Sequence, residues 1–418
     1  MSADGASGPR GPLVGYRVLE LCSTIAGPAC ARLLADFGAD VIKVEPPDGD
    51  PVRQMGAMDG DVELYAASLL RNKRTVSIDL KHESGRDVVL RLAARCDIVV
   101  ENFRPGTLER LGLGYDRLCA DNPGLVLVRI SGYGQSGPNS AMPGYGAVCE
   151  AFGGLRHLTG DPDRPPARVA VALTDYVTSI YAAFGAMMAL LERQRTGRGQ
   201  VVDAALYEAA FSTLEALVPL HHRKGAVPAR QGSRLPSMAP NNLYPARDGA
   251  YVLIAANNNA TFGRLVGAIG RSDLSDDPRF RNVRARAENA DAIDAIVAEW
   301  VARHDGADVE RKAQEAGVPA SLVYTIKDIF SDPHYAAREM ILRMPHEKFG
   351  TLAVSGVVPK LSGTPGAVYR LGRGIGQDTR EILQSELGMS GEDIAKLECS
   401  GAIATAMTKD YRTAAGSK

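Results

Sequence analysis

Asp175 stands where a carboxylate can do chemistry. It follows the proline-rich turn and short apolar run Pro166-Ala-Arg-Val-Ala-Val-Ala-Leu173. After it, apolar residues recur at Val177, Ile180, Tyr181, Phe184, Met188 and Leu191, which is helical spacing. Thr174 is a good N-cap residue. Basic residues and Gly197 after Leu190-Leu-Glu-Arg-Gln-Arg give a stop signal. Asp175 thus falls in the first turn of a long, mostly apolar helix, where orphan N–H groups and the positive dipole end favour an anion. An acid there can simply stabilise the helix start, or it can serve a site. Already ionised at neutral pH, it needs no general base to act as a nucleophile.

Competing motifs are weak. There is no nucleophile elbow, Walker loop or H-E-x-x-H. The glycines between Gly132 and Gly137 precede no convincing nucleotide-binding helix. His221-His222 has no Cys or acid at ligand spacing, so it reads as a solvated segment and no metal site is expected.

The elements that must position Asp175 alternate between strand and helix. Arg17–Leu21, Asp40–Glu45, 75–80, 97–101, 125–130 and 199–206 read as strands. Residues 26–38, 83–94 and 207–218 read as helices, with a short helix within 144–154 ending at Gly153-Gly154. This alternation indicates an α/β fold with a mainly parallel sheet. Ligands of such sheets bind beyond the carboxyl ends of the strands. That puts Ser23-Thr24-Ile25, Glu45-Pro46, Asn102-Phe103 and Ser131-Gly-Tyr-Gly134 on the functional rim. Pro, Ser and basic residues over 219–250 read as a linker. A smaller α/β domain is expected over 251–330, and Gly/Pro-rich strand-like pieces after Ile329 lead to a helix over 379–386.

A chain of 418 residues accommodates two domains and a large core. A formal net charge of -1 gives no reason to expect nucleic acid or an anionic membrane surface. No apolar run is long enough to span a bilayer. The first dozen residues read as a disordered leader. Six dispersed cysteines without a C-x-x-C pair suit a reducing cytoplasm.

Four segments together bring up a family: Ala26-Gly-Pro28 with Gly38-Ala-Asp-Val-Ile-Lys-Val-Glu45; Asn72-Lys-Arg74 with Ile78-Asp-Leu-Lys81; Glu101-Asn-Phe-Arg-Pro-Gly106 with Leu111-Gly-Leu113; and Thr196-Gly-Arg-Gly-Gln-Val-Val-Asp203. In this order and spacing the chain, from about Gly15 to Ile403, resembles the class III CoA-transferases, the family of formyl-CoA transferase and carnitine CoA-transferase. The resemblance implies a Rossmann-like large domain built from both ends of the chain (11–218 and part of 331–418) and a small domain from its middle. It also implies an interlocked homodimer. It places Asp175 at the family's catalytic aspartate, working through an aspartyl–acyl anhydride and an aspartyl-CoA thioester. Gly153 and Gly154 are candidate oxyanion donors. Ile78, Asp79, Leu80, Lys81, Asn102, Phe103, Arg104 and Arg110 fall on CoA-site positions, and Tyr145 on an active-site tyrosine. Coenzyme A and acyl-CoA are expected as substrates, with a carboxylic acid as partner and no permanently bound cofactor.

Three positions depart from formyl-CoA transferase: Ile25 for a glutamine, Gly146 for a glutamate, and Leu235-Pro-Ser-Met-Ala239 for a glycine-rich loop. The segment 150–166 instead resembles members that use succinyl-CoA and a dicarboxylate. Arg53, Arg71, Arg156 and Arg168 are then candidates to hold the spare carboxylate. An α-methylacyl-CoA racemase is the alternative within the same fold. It needs a histidine near Gly144-Tyr-Gly146, and His157 comes a few residues too late. A non-catalytic CoA-binding subunit is the alternative of a different class.

Overall fold

The computed structural model describes residues 8–405. These divide into two compact units. One holds the residues through Leu155, Val169–Glu215 and those from Ala337 onward. The other holds Arg156–Arg168 and Ala216–Ala336.

The first unit is built on a seven-stranded sheet. In chain order its elements are β1 (Arg17–Leu21), α1 (Ala26–Asp36), β2 (Asp40–Glu45), β3 (Lys73–Ile78), α2 (Glu83–Ala93), β4 (Ile98–Glu101), β5 (Val126–Ser131), α3 (Gly146–Phe152), α4 (Leu173–Thr196), β6 (Val201–Ala205) and α5 (Leu206–Phe211). The spatial order runs β3-β2-β1-β4-β5-β6, all parallel. A final short strand, Ile403–Ala404, pairs antiparallel with β3 at the edge. The chain winds from β1 to β3 on one side, then returns to lay β4 on the other. The winding therefore reverses between β1 and β4, and a crevice opens beyond their carboxyl ends. The fold is the α/β, Rossmann-like one expected.

Burial on both faces explains why β1, β2, β4 and β5 are short apolar runs. One face packs α1 and α4 through Val18, Cys30, Leu34, Val100, Val128, Ala182, Ala186 and Leu190. The other packs α2 and the helix Thr379–Leu387 through Leu19, Val76, Val89, Leu92, Val99, Leu127 and Ile382.

Helix α4 turns its small residues inward. Thr178, Ser179, Ala182, Ala186 and Ala189 are buried. The Ser179 hydroxyl bonds the Ala26 carbonyl at 2.6 Å, which locks α4 to the start of α1. The larger apolar residues whose spacing marks the helix lie on the opposite side: Ile180 and Phe184 are each 59% exposed and Leu191 58%. The helix starts at Leu173 with Ala172 as its cap. Thr174 is therefore not the N-cap: it lies inside the first turn, buried, with its hydroxyl toward Glu150.

Several expectations shift in detail. Residues 1–7 of the expected leader lie outside the described residues, as does 406–418 at the other end. From Arg10 the chain is already packed, because Gly11 at φ +124° fits against the Phe37 backbone and Leu13 N–H bonds Phe37 O. The helix expected over 207–218 is two helices, Leu206–Phe211 and Leu217–Lys224. The hydroxyls of Ser212 and Thr213 bond back to Ala209 O and Ala210 O where the first one ends.

In the second unit, Asn241–Pro245, Tyr251–Ala255 and Ala320–Leu322 form an antiparallel sheet. The segment 219–250, expected as a linker, thus supplies one of these strands. Tyr244 is buried there and donates to Asp294 at 2.6 Å. Its Pro and Asn content hides the strand from a periodicity argument.

Candidate active site

The crevice at the winding reversal is a cleft of about 200 Å³. Residues 23–26 after β1 and 102–105 after β4 line it. So do Ile130–Gly132 at the end of β5, Met142–Tyr145 before α3, Asp175 in the first turn of α4, and Leu206.

Its rim is held by side chains of the rim motifs. Asn102 clamps the loop after β1 from both sides: its Oδ1 accepts Ser23 N–H at 2.9 Å and its Nδ2 donates to Ser23 O at 2.8 Å. Thr24 has φ 69°, a left-handed conformation that a β-branched residue adopts only under constraint. The constraint is Asp50, whose Oδ1 accepts Thr24 N–H at 2.9 Å. Asp50 is itself fixed by a chain of fully buried charges. Lys43 lies 2.7 Å from Asp50 and 2.9 Å from Glu20, and Lys73 lies 2.7 Å from Glu20. Each cation also donates to a carbonyl, Cys22 O and Pro28 O. Removing one member would strand a buried charge.

Glu101, just before Asn102, is equally committed. It accepts Phe103 N–H at 2.8 Å and Arg129 Nε at 2.6 Å. Burial raises its carboxyl pKa, and the Arg129 guanidinium works against that rise. The residues of Glu101-Asn-Phe-Arg-Pro-Gly106 therefore divide between holding the rim and facing the cleft. Phe103 packs partly on the core, Arg104 stays exposed at the cleft, and Gly106 at φ 80° starts the next short helix.

Asn102→Ala removes both clamp bonds and releases Ser23 and Thr24. We expect a loss of about 1–3 kcal/mol in stability, readable by thermal unfolding. An unchanged unfolding temperature would show that the loop is held without the clamp.

Asp175 faces the first residue of α3. A methyl group built on Gly146 would overlap Asp175 Oδ2 and sit 2.8 Å from its carboxyl carbon. With glycine there the carboxylate lies directly against the start of α3, and any side chain at this position would have to displace it. Tyr145, the residue before α3, is 74% exposed at the cleft mouth. Cys149, buried one turn along α3, has its thiol pKa raised to about 11 by burial and by Asp175, so it stays neutral beside the carboxylate.

The structure gathers Asp175, Asn102, Phe103, Arg104 and Tyr145 in one cleft. Ile78, Asp79, Leu80, Lys81 and Arg110 do not line it. Ile78 belongs to the core, and Leu80 packs against that core. Asp79 turns to accept Lys81 N–H at 2.8 Å. Lys81 and Arg110 are exposed. The Ile78–Lys81 segment leaves β3, two strands from β1, or roughly 10 Å along the same rim. The N–H groups of Gly153 and Gly154 are already bonded to Cys149 O and Ala151 O at the end of α3. They are not oxyanion donors. Gly153 is a packing glycine, since a Cβ there would press on Tyr207 O at 2.7 Å.

Sequence reasoning missed the buried Glu20–Lys43–Lys73–Asp50 chain and the tyrosine pair Tyr65–Tyr176, whose hydroxyls lie 3.3 Å apart. Charged residues inside strands β1, β2 and β3 were the available signal, because a charge in a doubly covered strand must find a partner. Among the described residues lining the cleft there is no histidine. His157 lies in the other unit, bonded to Pro228 O at 3.2 Å.

Comparison with known proteins gives concordant matches. The profile described as CoA-transferase family III matches residues 13–379. A succinyl-CoA–D-citramalate CoA-transferase of Chloroflexus aurantiacus is 44% identical over 398 residues, covering 94% of this chain and 99% of that protein. A succinyl-CoA:glutarate CoA-transferase of Mus musculus is 33% identical over 410 residues, 95% of this chain and 92% of that one. Among solved structures, a CAIB/BAIF family protein from Brucella suis superposes with a TM-score of 0.80 at 33% identity, covering 90% of this chain and all of its own.

Proposed function

This chain belongs to CoA-transferase family III, and from that premise we propose that it moves CoA between an acyl-CoA and a free carboxylic acid with Asp175 as the covalent carrier. The observation that carries the reading is the Asp175 carboxylate, lying in the winding-reversal cleft against Gly146, where no side chain comes between it and the start of α3. Relatives named for succinyl-CoA support a dicarboxylic donor, and their named acceptors support a second dicarboxylate.

The steps follow from the carboxylate. Asp175 attacks the thioester carbonyl of the donor; its C–S bond breaks, and CoA leaves as thiolate. The product is an acyl–aspartyl anhydride. The thiolate then attacks the aspartyl carbonyl, the anhydride C–O bond breaks, and the donor acid departs with an oxygen that came from Asp175. An aspartyl-CoA thioester remains. The acceptor carboxylate attacks this thioester and expels thiolate, forming a second anhydride. Thiolate then takes the acceptor acyl group and regenerates the Asp175 carboxylate with one acceptor oxygen. Each step exchanges one activated acyl bond for another, so the hard transfer is divided into easier ones. Water would end the sequence by hydrolysis and has to be kept out. The start of α1 at Ala26 turns its positive dipole end to the cleft, where charge develops on the attacked carbonyl. Lys81, Arg104 and Arg110, exposed along the rim, suit the phosphates of CoA.

A panel of acyl-CoA donors against free succinate, malate, citramalate, itaconate, oxalate and carnitine tests this reading. We expect succinyl-CoA with a dicarboxylate to be the fastest pair. Faster turnover of monocarboxylates or carnitine would contradict the substrate assignment. Absence of any transfer by the lone protein would favour a subunit that needs a related partner.

The reading includes an interlocked homodimer in the cytoplasm. The exposed apolar side of α4, with Ile180, Phe184 and Leu191, supports a partner. Six free cysteines suit a reducing compartment. Sedimentation should give a dimer that survives dilution; a stable monomer would refute it.

A further inference from the structure

Four arginines were expected to compete for the spare carboxylate of a diacid, and the two of them in the unit that holds Asp175 are fully occupied. Arg53 makes a bidentate pair with Glu45 and also binds Glu63 and Arg373 O. Arg71 makes a bidentate pair with Asp36 and also binds Ser355 O. Arg156 and Arg168 belong to the other unit.

A fifth arginine is in a different condition. Arg32, on α1, is largely buried, with 15% of its side chain exposed. Its nearest carboxylate is Asp36, at 4.0 Å, beyond hydrogen-bond reach. Both oxygens of Asp36 are already taken, Oδ1 by Arg71 and Asn72 and Oδ2 by Arg71. Two guanidinium groups thus share one carboxylate, leaving a local excess of one positive charge. The Arg32 Nε is buried and has no hydrogen-bond partner among the described residues. Burial, and then the charge of Arg71, hold its pKa below the ordinary arginine value. A buried guanidinium in this state gains from any anion that reaches it.

Its surroundings lead back to the nucleophile. The guanidinium carbon lies 5.7 Å from the ring centre of Tyr176, the residue after Asp175. The Tyr176 hydroxyl meets that of Tyr65 at 3.3 Å, and both Arg32 and Asp175 act on Tyr65 through their charge. Arg32 and the tyrosine pair thus adjoin Asp175 through its neighbour Tyr176, behind the residues that line the cleft.

We propose that Arg32 binds the distal carboxylate of a dicarboxylic substrate while the other end of that substrate reacts at Asp175, so that Arg32 sets the preference for diacids over monoacids. The inference rests on the reading of Asp175 as the reacting group, and its test therefore reads binding without turnover.

The experiment is calorimetric titration of the full-length protein, with CoA present at saturation, by free succinate and by free butyrate. Wild type should bind succinate more tightly. Arg32→Gln should lose roughly 10- to 100-fold in succinate affinity while butyrate affinity changes by less than about twofold. Arg32→Lys, which keeps the charge but not the planar fork, should fall between them. Guanidinium ion added to Arg32→Ala should restore succinate binding and leave butyrate unaffected. Equal weakening of both acids, undiminished succinate binding in Arg32→Gln, or a loss confined to CoA itself would overturn the proposal. Loss of transfer by wild type alongside intact, Arg32-dependent succinate binding would instead count against the catalytic reading.

Discussion

Asp175→Ala is expected to lower CoA transfer by on the order of 10⁴-fold or more, because every bond exchange in the proposed sequence passes through that carboxylate. CoA affinity should be largely kept, since the residues proposed to meet the nucleotide, after β3 and β4, do not include Asp175, and the loops after β1 and β4 are held by Asn102, Asp50 and Glu101. The fold should also survive. Asp175 is only partly buried, and α4 is locked to α1 through Ser179 and its alanine stripe. Rates by coupled assay and CoA affinity by calorimetry separate the two effects. Wild-type turnover in the variant would remove Asp175 from the chemistry.

Gly146→Ala should be the second most damaging change, although it adds one methyl group. That methyl would occupy the place of Asp175 Oδ2. The carboxylate must then swing away from the start of α3 and lose its alignment. A misplacement of about 1 Å costs on the order of 10²-fold in rate. Stability should not suffer for backbone reasons. Gly146 is a helical residue outside the left-handed region, and alanine in a helix is favoured over glycine by roughly 1 kcal/mol. A variant that is as stable as wild type but strongly impaired in kcat, with KM little changed, is the expected signature. Retention of full kcat would mean that Asp175 works in another position.

Much of this arrangement was legible in the sequence. Runs such as Arg17-Val-Leu-Glu-Leu21 and Asp40-Val-Ile-Lys-Val-Glu45 carry apolar residues toward both faces because helices cover both sides of the sheet, and despite the buried Glu20 and Lys43 that is what makes a parallel strand readable. The first-turn position of Asp175 was readable because a helical period starts beside it, while its selection as a site residue came from the family resemblance alone. What stayed hidden depends on which residues meet in space. Nothing local distinguishes Gly146, whose need for glycine comes from a side chain on α4. Thr24 takes a left-handed turn that its own residue type opposes, imposed by Asp50 and Asn102. The apolar positions of α4 have the right period, yet they mark the exposed side, while threonine, serine and alanine make the buried one. Arg32 and Arg71 look alike as residues in the sequence; only the geometry of Asp36 shows that one is satisfied and the other is not.

The covalent path has a direct isotopic test. The acceptor acid is supplied with ¹⁸O in its carboxylate, unlabelled acyl-CoA serves as donor, and the released donor acid is examined by mass spectrometry after many turnovers. In the anhydride sequence each cycle leaves one acceptor oxygen on Asp175, and the next donor acid carries away an oxygen from Asp175. Label should therefore appear in the carboxylate of Asp175 and in the free donor acid. Unlabelled donor acid from an enzyme that turns over normally, with no ¹⁸O on Asp175, would mean that no oxygen passes through this carboxylate, and the account of Asp175 as the carrier would fall.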